Sequence, residues 1–214
     1  MNIALEKLIP LPMIELDTTG SAIWEAESFL LRQGESYLVE APSGKGKTSL
    51  LSILYGLRTD YRGRFFFDNQ PADSFSPRDW SATRKNAVSF IFQGLELFDD
   101  LTARENIRLK NSITHHKTEA EINNMAERLE IGPFLDRKTR ILSFGQKQRV
   151  AIIRALCQPF RFLLADECFS HIDRKNSHTA FHLIDEQCKK KGAGFILTTL
   201  NNMENLKLDH SINL

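Results

Sequence analysis

The segment spanning residues 36–57 constrains the fold more than any other, because a strand, a tight loop and a helix follow one another there without a break. Residues 37–39 are a short apolar run typical of a strand, and leucine and isoleucine recur at helical spacing from Leu50 to Leu57. Backbone N–H groups of such a loop, and the N-terminus of the helix after it, direct their positive ends at one small volume. The segment therefore predicts an α/β protein with a phosphate-binding loop.

The loop itself matches the nucleotide-binding pattern G-x-x-x-x-G-K-[S/T] except at its first position, which is Ala41. We expect Lys47 to reach the β- and γ-phosphates of a nucleoside triphosphate, and Thr48 to offer its hydroxyl to Mg²⁺. Glycine allows the backbone to approach the phosphates closely. The residues predicted to bind the nucleotide here are Pro42, Ser43, Gly44, Lys45, Gly46, Lys47, Thr48 and Ser49.

A second apolar run, at residues 162–165, ends in two adjacent carboxylates, Asp166 and Glu167. In a parallel α/β sheet the strand ends and the loops beyond them line the ligand crevice, so we expect both acids beside the phosphate loop. Asp166 is predicted to hold Mg²⁺. Glu167 is predicted to orient the attacking water and accept its proton. A helix-capping Asp-Glu pair is the alternative interpretation.

Composition narrows the class of protein. A length of 214 residues is enough for one domain, or one with a subdomain, around a substantial core. The formal net charge of +1 gives no electrostatic reason to expect a nucleic-acid partner. Three cysteines without a C-x-x-C pair indicate neither a disulfide framework nor a zinc site, and they fit a reducing cytoplasm. No segment approaches the ~20 apolar residues of a membrane span, so work at a membrane would need another protein as an anchor.

Short-range patterns predict the other elements. Strands are predicted at residues 11–16, 22–31, 64–68, 88–92, 161–165 and 195–198, and a loop at 69–79. Capping boxes at Thr102 and Thr118 predict two helices, and a long helix is expected from about residue 173 to 191, ending at Gly192.

Three further groups of residues have a structural interpretation. The phenylalanines at 65–67 are predicted to pack in a strand, in preference to forming a base-stacking platform. His115 and His116 are expected to be solvated loop residues. The lysines at 189–191 are interpreted as a solvated helix end that complements the helix dipole.

Five motifs in a fixed order resemble those of the ATP-binding cassette ATPases, the nucleotide-binding subunits of ABC transporters. After the phosphate loop, Gln93 ends a segment similar to the family's Q-loop. Residues 142–146, LSFGQ, resemble its signature motif, the two acids follow, and residues 170–173, SHID, resemble its D-loop. The resemblance implies a P-loop NTPase core of the RecA-like type, with an antiparallel β subdomain and an inserted α-helical subdomain. The core would comprise residues 1–93 and 141–214, and the helical subdomain residues 94–140.

The resemblance further implies that two such cassettes pair head to tail, as a homodimer, around two ATP molecules. Ser143, Gly145 and Gln146 of one subunit would contact the γ-phosphate bound to Lys47 of the other. A signature at a helix N-terminus suits an anion, because free N–H groups and the dipole favour negative charge there.

The implied function is ATP hydrolysis that powers a separate integral membrane permease. Lys47, Gln93 and Glu167 would be the catalytic residues, and Thr48, Gln93 and Asp166 would hold Mg²⁺. Gln93 would also couple the site to the permease, which would keep the chain on the inner face of the cell membrane.

Four positions depart from the family pattern. Residues 198–201 read TTLN, with Leu200 where the family has a histidine. Leu200 cannot donate a hydrogen bond, whereas Thr199 and Asn201 are alternative donors. Phe144 replaces the signature's first glycine. Cys168 and Phe169 stand where Pro-Thr is usual, and no aromatic residue precedes Trp24 to stack on adenine. Trp24 itself is a candidate for that stacking, and packing in the core or at an edge is the alternative.

Losing one oriented donor at a charge-stabilising site costs ~10² to 10³ in rate, so we expect slow hydrolysis. The alternative function is a hydrolysis-impaired regulatory module, or an asymmetric partner beside an active cassette. A soluble cassette acting on nucleic acid is disfavoured by the balanced charge.

Overall fold

The computed structural model describes residues 1–199 and 206–214, which form two sheets and the helices packed on them. The strands are β1 (Ile3–Pro10), β2 (Ser28–Leu31), β3 (Ser36–Glu40), β4 (Tyr61–Phe67), β5 (Gln70–Pro71), β6 (Val88–Ile91), β7 (Phe162–Asp166), β8 (Gly194–Thr199) and β9 (His210–Asn213). The helices are α1 (Lys47–Leu54), α2 (Pro77–Asn86), α3 (Ala103–Ser112), α4 (Glu119–Arg128), α5 (Phe144–Leu156) and α6 (Arg174–Lys191).

The parallel sheet has the strand order β6-β7-β8-β3-β9. Strands β7 and β8 are buried at every residue, as expected for strands covered on both faces. The phosphate loop follows β3 and the two acids close β7, with β8 between those strands. Parallel strands end at a common edge, so loop and acids meet there, and the predicted α/β fold is confirmed.

The antiparallel sheet has the order β2-β1-β4-β5. Phe65 and Phe67 of β4 are buried, which confirms their interpretation as packed strand residues. Gly63 has a φ of +84°, and a Cβ there would collide with the carbonyl oxygen of Lys7, where β1 is irregular. Only glycine fits this crossing of the two strands.

The strand predicted at residues 11–16 is wrong. Strand β1 lies earlier in the chain, where Ile3, Leu5 and Leu8 are buried against the sheet's inner face. Leu11–Met13 form a 3-10 turn instead. Pro12, which has no N–H group, cannot donate a ladder hydrogen bond and favours this turn.

The strand predicted at residues 22–31 is correct only over β2, its last four residues. Ser21 Oγ accepts hydrogen bonds from the backbone N–H groups of Trp24, at 2.9 Å, and Ile23, at 3.3 Å. A side chain that satisfies nearby backbone donors competes with strand pairing, so this stretch forms turns that bury both apolar residues.

Helix boundaries follow the predicted caps. Both halves of the capping boxes at Thr102 and Thr118 are present at the starts of α3 and α4. Helix α6 begins after Asp173, whose side chain accepts from the N–H of Asn176, and it ends at Gly192 in the left-handed conformation. The helix after the phosphate loop ends at Leu54, three residues before the last residue of the predicted helical spacing, Leu57.

Helix α2 was not predicted, and its first residues fall inside the segment predicted as a loop. It begins with a capping box between Ser76 and Asp79, with Pro77 at its first position. None of its residues is fully buried, so it lacks the apolar periodicity by which helices are recognised in a sequence.

His116 and Lys191 are partly buried and contact each other, which corrects their interpretation as solvated residues. Lys191 Nζ donates to His116 Nε2 at 2.7 Å and to the carbonyl oxygen of Gln158 at 3.1 Å, and lies 4.0 Å from the Phe160 ring centroid. Burial lowers the pKa of Lys191 to about 8. Burial, with the charges of Lys191 and Lys117, lowers the pKa of His116 to about 4. His115 is exposed, as predicted.

Two apolar cores lie on the two faces of the parallel sheet. One is formed with α1 and the antiparallel sheet, and the other with α3, α4, α5 and α6. Ile107, Ile122 and Met125 of the helical region share the second core with Leu163 of β7. The division of the chain at residues 94 and 140 stays a prediction. Among the described residues, no helix is both long and apolar enough to cross a membrane.

Candidate functional site

The phosphate loop runs from the end of β3 to the start of α1. Gly44 and Gly46 have φ values of +82° and +95°, a conformation that favours glycine. Trp24 Nε1 donates to the carbonyl oxygen of Lys45 at 3.2 Å, and its ring lies 3.2 Å from where a Cβ of Gly46 would be. Trp24 is only 6% exposed, so it packs beneath the loop and supports its shape.

Lys47 is buried, although it carries an ammonium group. Its Nζ donates to the carbonyl oxygens of Ala41, at 2.6 Å, and Pro42, at 3.2 Å. The same atom lies 3.6 Å from Glu167 Oε1. A buried charge needs such partners, and these three hold the ammonium at the centre of the loop.

Glu167 is the junction between the loop and two other strands. Gln93, just beyond β6, donates from Nε2 to Glu167 Oε2 at 3.1 Å. The backbone N–H of Glu167 lies 3.2 Å from both Oγ1 and the carbonyl oxygen of Thr198. Glu167 has a φ of +48°, which is unusual outside glycine and is held here by these contacts.

Thr198 is a site residue that the sequence analysis missed. Its hydroxyl donates to Asp166 Oδ1 at 2.6 Å, and the Asp166 side chain is buried. Strands β7 and β8 pair with Asp166 opposite Thr198. The pairing of Thr198 with Asp166 on neighbouring strands would have indicated this role. It could not be predicted without knowing that β7 and β8 are neighbours in the sheet.

The cleft beside the loop brings together most of the predicted residues. Its lining comprises Pro12, Met13, Leu16, Ser43, Gly44, Gly46, Lys47, Thr48, Ser49, Gln93 and Glu167. The first three were not predicted, because the segment was interpreted as a strand. Leu16 is half exposed, and the carbonyl oxygen of Asp17 accepts a 2.7 Å hydrogen bond from Lys45 Nζ, which ties this apolar wall to the loop. Pro42 lies in a neighbouring depression with Thr199.

The oxygen donors at the cleft fit Mg²⁺. Thr48 supplies a hydroxyl and Glu167 a carboxylate, while the amide of Gln93 uses its nitrogen on Glu167 and leaves its carbonyl oxygen for another partner. Asp166, the carboxylate predicted to bind the metal, is buried beside Thr198 and is not among the described residues that line the cleft. Within the described part of the chain, no group of three or more His, Cys, Asp or Glu residues gathers as a metal cluster. Such a site suits an ion that takes one or two carboxylates and completes its shell with phosphate and water oxygens.

The signature residues lie at the start of α5, away from this cleft. Ser143 and Gln146 form a capping box, with Ser143 N–H donating to Gln146 Oε1 at 2.9 Å. Gly145 packs so closely that a Cβ would lie 2.6 Å from the carbonyl oxygen of His171. Phe144 is 45% exposed, and its ring centroid lies 4.4 Å from that of His171. Ser143, Gly145 and Gln146 are not among the described residues that line the cleft.

Gln148 joins the signature helix to the segment after β7. Its side chain is buried; Oε1 accepts from the backbone N–H of His171 at 3.2 Å, and Nε2 donates to Ser170 Oγ at 3.2 Å.

Cys168 and Phe169, just before this segment, are buried in the core. Burial raises the pKa of the Cys168 thiol. This departure from the family pattern is therefore a packing feature. Leu200 and Asn201 lie outside the described residues.

Comparison with known proteins gives a consistent result. Residues 25–170 match the family model described as ABC transporter. The dimeric structure of MJ0796, a bacterial ABC transporter cassette, is similar with a TM-score of 0.77 and 23% identity, over 93% of this chain and 88% of that chain. Its dimeric post-hydrolysis state with ADP and Pi gives 0.75 and 25% over the same shares. A bacterial Atm1-family ABC exporter with ATP bound gives 0.72 and 21%, over 92% of this chain and 34% of that longer chain.

Proposed function

The chain belongs to the ABC transporter family, and on this premise we propose that it is an ATPase subunit that powers a separate membrane permease. Two copies would pair head to tail around ATP and separate after hydrolysis. The observation that carries the proposal is the junction of Lys47, Gln93 and Glu167, which come from three different segments and meet at the mouth of the phosphate loop. If these residues had only a structural role, the chain would not need a buried lysine beside a glutamate with a positive φ.

Each residue at this junction has a distinct proposed task. Lys47 moves its donors from the loop carbonyls to the β- and γ-phosphates when ATP enters, which releases one oxygen of Glu167. Glu167 then orients the attacking water and accepts its proton. Thr48, Gln93 and Asp166 would hold Mg²⁺, which would neutralise charge on the phosphates. Thr198 keeps both acids in position.

The nucleoside end of the site is proposed to rest on aliphatic side chains. Leu16 and Pro12 line the cleft on the side of the loop, whereas Trp24 is buried beneath it and cannot stack on a base. Apolar contact without ring stacking gives modest selectivity among bases, because shape and hydrogen bonds decide specificity more than apolar area does.

The γ-phosphate end is proposed to need a second subunit. Ser143, Gly145 and Gln146 lie outside their own chain's cleft, so they are available to cap the nucleotide of a partner. The helix N-terminus at this point favours an anion. Dimeric structures of a similar cassette, one with ADP and Pi, support this arrangement.

The permease is proposed to dock on the helical region, residues 94–140, and hold the chain at the inner face of the membrane. Exposed apolar side chains in this region and beside it, Phe98, Leu109, Ile113 and Ile141, support the proposal. Residues 1–93 and 141–214 would form the nucleotide-binding core.

Steady-state phosphate release with Mg²⁺-ATP tests the proposed activity. We expect wild type to release phosphate at least tenfold faster than Glu167→Gln, with ATP affinity retained in the mutant, because only the proton acceptor is lost. Lys47→Ala should weaken ATP binding itself. Equal, slow release by wild type and Glu167→Gln, with ATP still bound, would instead favour the hydrolysis-impaired regulatory module.

A further inference from the structure

We propose that His171 donates a hydrogen bond to the terminal phosphate of the ATP bound by the partner subunit. The inference rests on the head-to-tail pairing proposed above and adds a phosphate contact from outside the phosphate loop and the signature. Two features of the described structure carry it, which are the position of His171 and the ring nitrogen that is free to donate. A third comes from the sequence, where Leu200 stands in place of the family's histidine.

His171 forms one surface with the signature residues. Its ring lies against the exposed ring of Phe144, with centroids 4.4 Å apart and planes at 63°. Its carbonyl oxygen lies against Gly145, at a position that leaves no room for a Cβ. His171 is exposed, so whatever approaches Ser143 and Gly145 from solvent also approaches this imidazole.

The hydrogen bonds around Ser170 favour one tautomer of the ring. The backbone N–H of His171 can only donate, so the side-chain atom of Gln148 that faces it at 3.2 Å is the carbonyl oxygen Oε1. The amide nitrogen of Gln148 therefore donates to Ser170 Oγ, also at 3.2 Å. With its oxygen accepting from Gln148, the Ser170 hydroxyl can donate its proton to His171 Nδ1, 2.8 Å away.

With Nδ1 accepting, the neutral ring carries its proton on Nε2. That N–H is a donor for which the described residues contain no hydrogen-bond acceptor. It lies on the surface that the proposed pairing brings to the partner's nucleotide. Gln148 is buried, so the orientation of the ring is set by the core of its own subunit. A preoriented donor at a phosphate is favourable because little reorganisation is needed when charge develops there.

The family pattern places a histidine after β8, where this chain has Leu200, a side chain that cannot donate. An imidazole supplied by His171 from the other subunit provides the missing type of donor at the same end of the nucleotide. The consequence is that each ATP site depends on two subunits for its donors.

Four substitutions separate the donor from the packing role of the ring. His171→Phe keeps a ring against Phe144 and loses the donor, and His171→Ala loses both. His171→Gln keeps an amide N–H near the position of Nε2, whereas the shorter His171→Asn does not reach it. His182→Ala, at another exposed histidine beside a phenylalanine, is the matched control.

One readout is phosphate release by variants that keep Glu167, and the other is ATP-driven dimerisation of the same variants in the Glu167→Gln background. We expect Phe, Ala and Asn at position 171 to lower both by roughly ten- to a hundredfold, since a hydrogen bond to a charged group is lost. Gln should stay within about threefold of wild type, and His182→Ala should be unchanged. ATP affinity of the dilute monomer should be unaltered in every variant, because the contact is made from the other subunit.

Mixed dimers locate the contact. In a dimer with Lys47→Ala in one subunit, only the intact subunit's loop binds ATP, and its terminal phosphate faces His171 of the Lys47→Ala subunit. Adding His171→Phe to that subunit should weaken ATP-driven dimerisation at least tenfold, whereas adding it to the intact subunit should have no effect. A His171→Phe protein that matches wild type, or an equal loss from either placement, would overturn the inference. If wild type itself neither binds ATP nor dimerises, the proposed function fails instead.

Discussion

The hydroxyl of Thr198 contacts both acids of the site, Asp166 and Glu167. It donates to Asp166 Oδ1 at 2.6 Å and lies 3.2 Å from the N–H of Glu167. Glu167 has a positive φ, a conformation that costs free energy unless the surroundings hold it. The hydroxyl is therefore expected to position the carboxylate that faces Lys47.

Thr198→Val should lower both stability and activity. Valine has nearly the same shape but removes the 2.6 Å hydrogen bond to the buried Asp166 carboxylate, at a cost of roughly 1 to 3 kcal/mol in the free energy of unfolding. Chemical denaturation measures that loss, and phosphate release should fall at least tenfold with ATP affinity little changed. Thr198→Ser keeps the hydroxyl and is the matched control. A valine variant as stable and as active as the serine variant would contradict this account.

At the scale of elements, the contact between His116 and Lys191 joins the loop between α3 and α4 to the end of α6. Lys191 donates to His116 Nε2, so the neutral imidazole accepts, and Lys117 adds a second positive charge nearby. Protonating His116 would place it against an ammonium group. This explains why its pKa falls to about 4.

The stability of this junction should depend on pH in a defined window. Between pH 4 and the ordinary value of 6.5, the unfolded chain binds a proton at His116 that the folded chain does not, so the free energy of unfolding falls as pH falls. Lys191, with a pKa of about 8, stays charged throughout this window. His116→Gln still offers an oxygen to Lys191 but cannot titrate.

Thermal melting from pH 7 to pH 4.5 checks this prediction. Wild type should lose melting temperature more steeply than His116→Gln over that range, while the two should differ little in slope above pH 7. His182→Gln, at an exposed histidine, should follow wild type. Parallel curves for wild type and His116→Gln would show that His116 titrates normally in the folded chain.

Elements with their own local signals were predictable from sequence, and elements without them were not. Capping boxes at Thr102 and Thr118 and the glycine at position 192 specify helix ends through contacts only a few residues apart. Helix α2 has a capping box as well, but its exposed, polar residues leave no apolar stripe to recognise. The first strand was predicted at residues 11–16 and not at β1, because the pairing of β1 with β2 and β4 is long-range and no local pattern marks it.

At the scale of the molecule, motif order predicted which segments meet, but not how they are held. Lys47, Gln93 and Glu167 meet as expected. Three features depend on strand order or packing that a single sequence does not encode locally: the hydroxyl of Thr198, the support from Trp24, and the wall that includes Leu16. The signature and the cleft lie apart in one chain, so assembly of two chains is the step that the proposed function adds.

Gly145→Ala tests that assembly without touching the phosphate loop. A Cβ at this position would lie 2.6 Å from the carbonyl oxygen of His171, which is backbone and cannot move aside cheaply, so the surface formed by the signature and residue 171 must shift. We therefore expect ATP-driven dimerisation in the Glu167→Gln background to weaken at least tenfold, as measured by analytical ultracentrifugation across a concentration series. ATP affinity of the dilute monomer should be unchanged, because Gly145 does not line its own chain's cleft.

Gly132→Ala is the matched control for this change. The three atoms nearest to its new Cβ all belong to the side chain of Glu127, which can rotate away, so dimerisation should match that of the parent protein. Removing Mg²⁺ with EDTA before adding ATP shows whether the pairing also depends on the metal that Thr48 and Asp166 are proposed to hold. If Gly145→Ala and Gly132→Ala dimerise equally well with ATP, the signature surface is not what the second subunit contributes, and the nucleotide must be enclosed by a single chain.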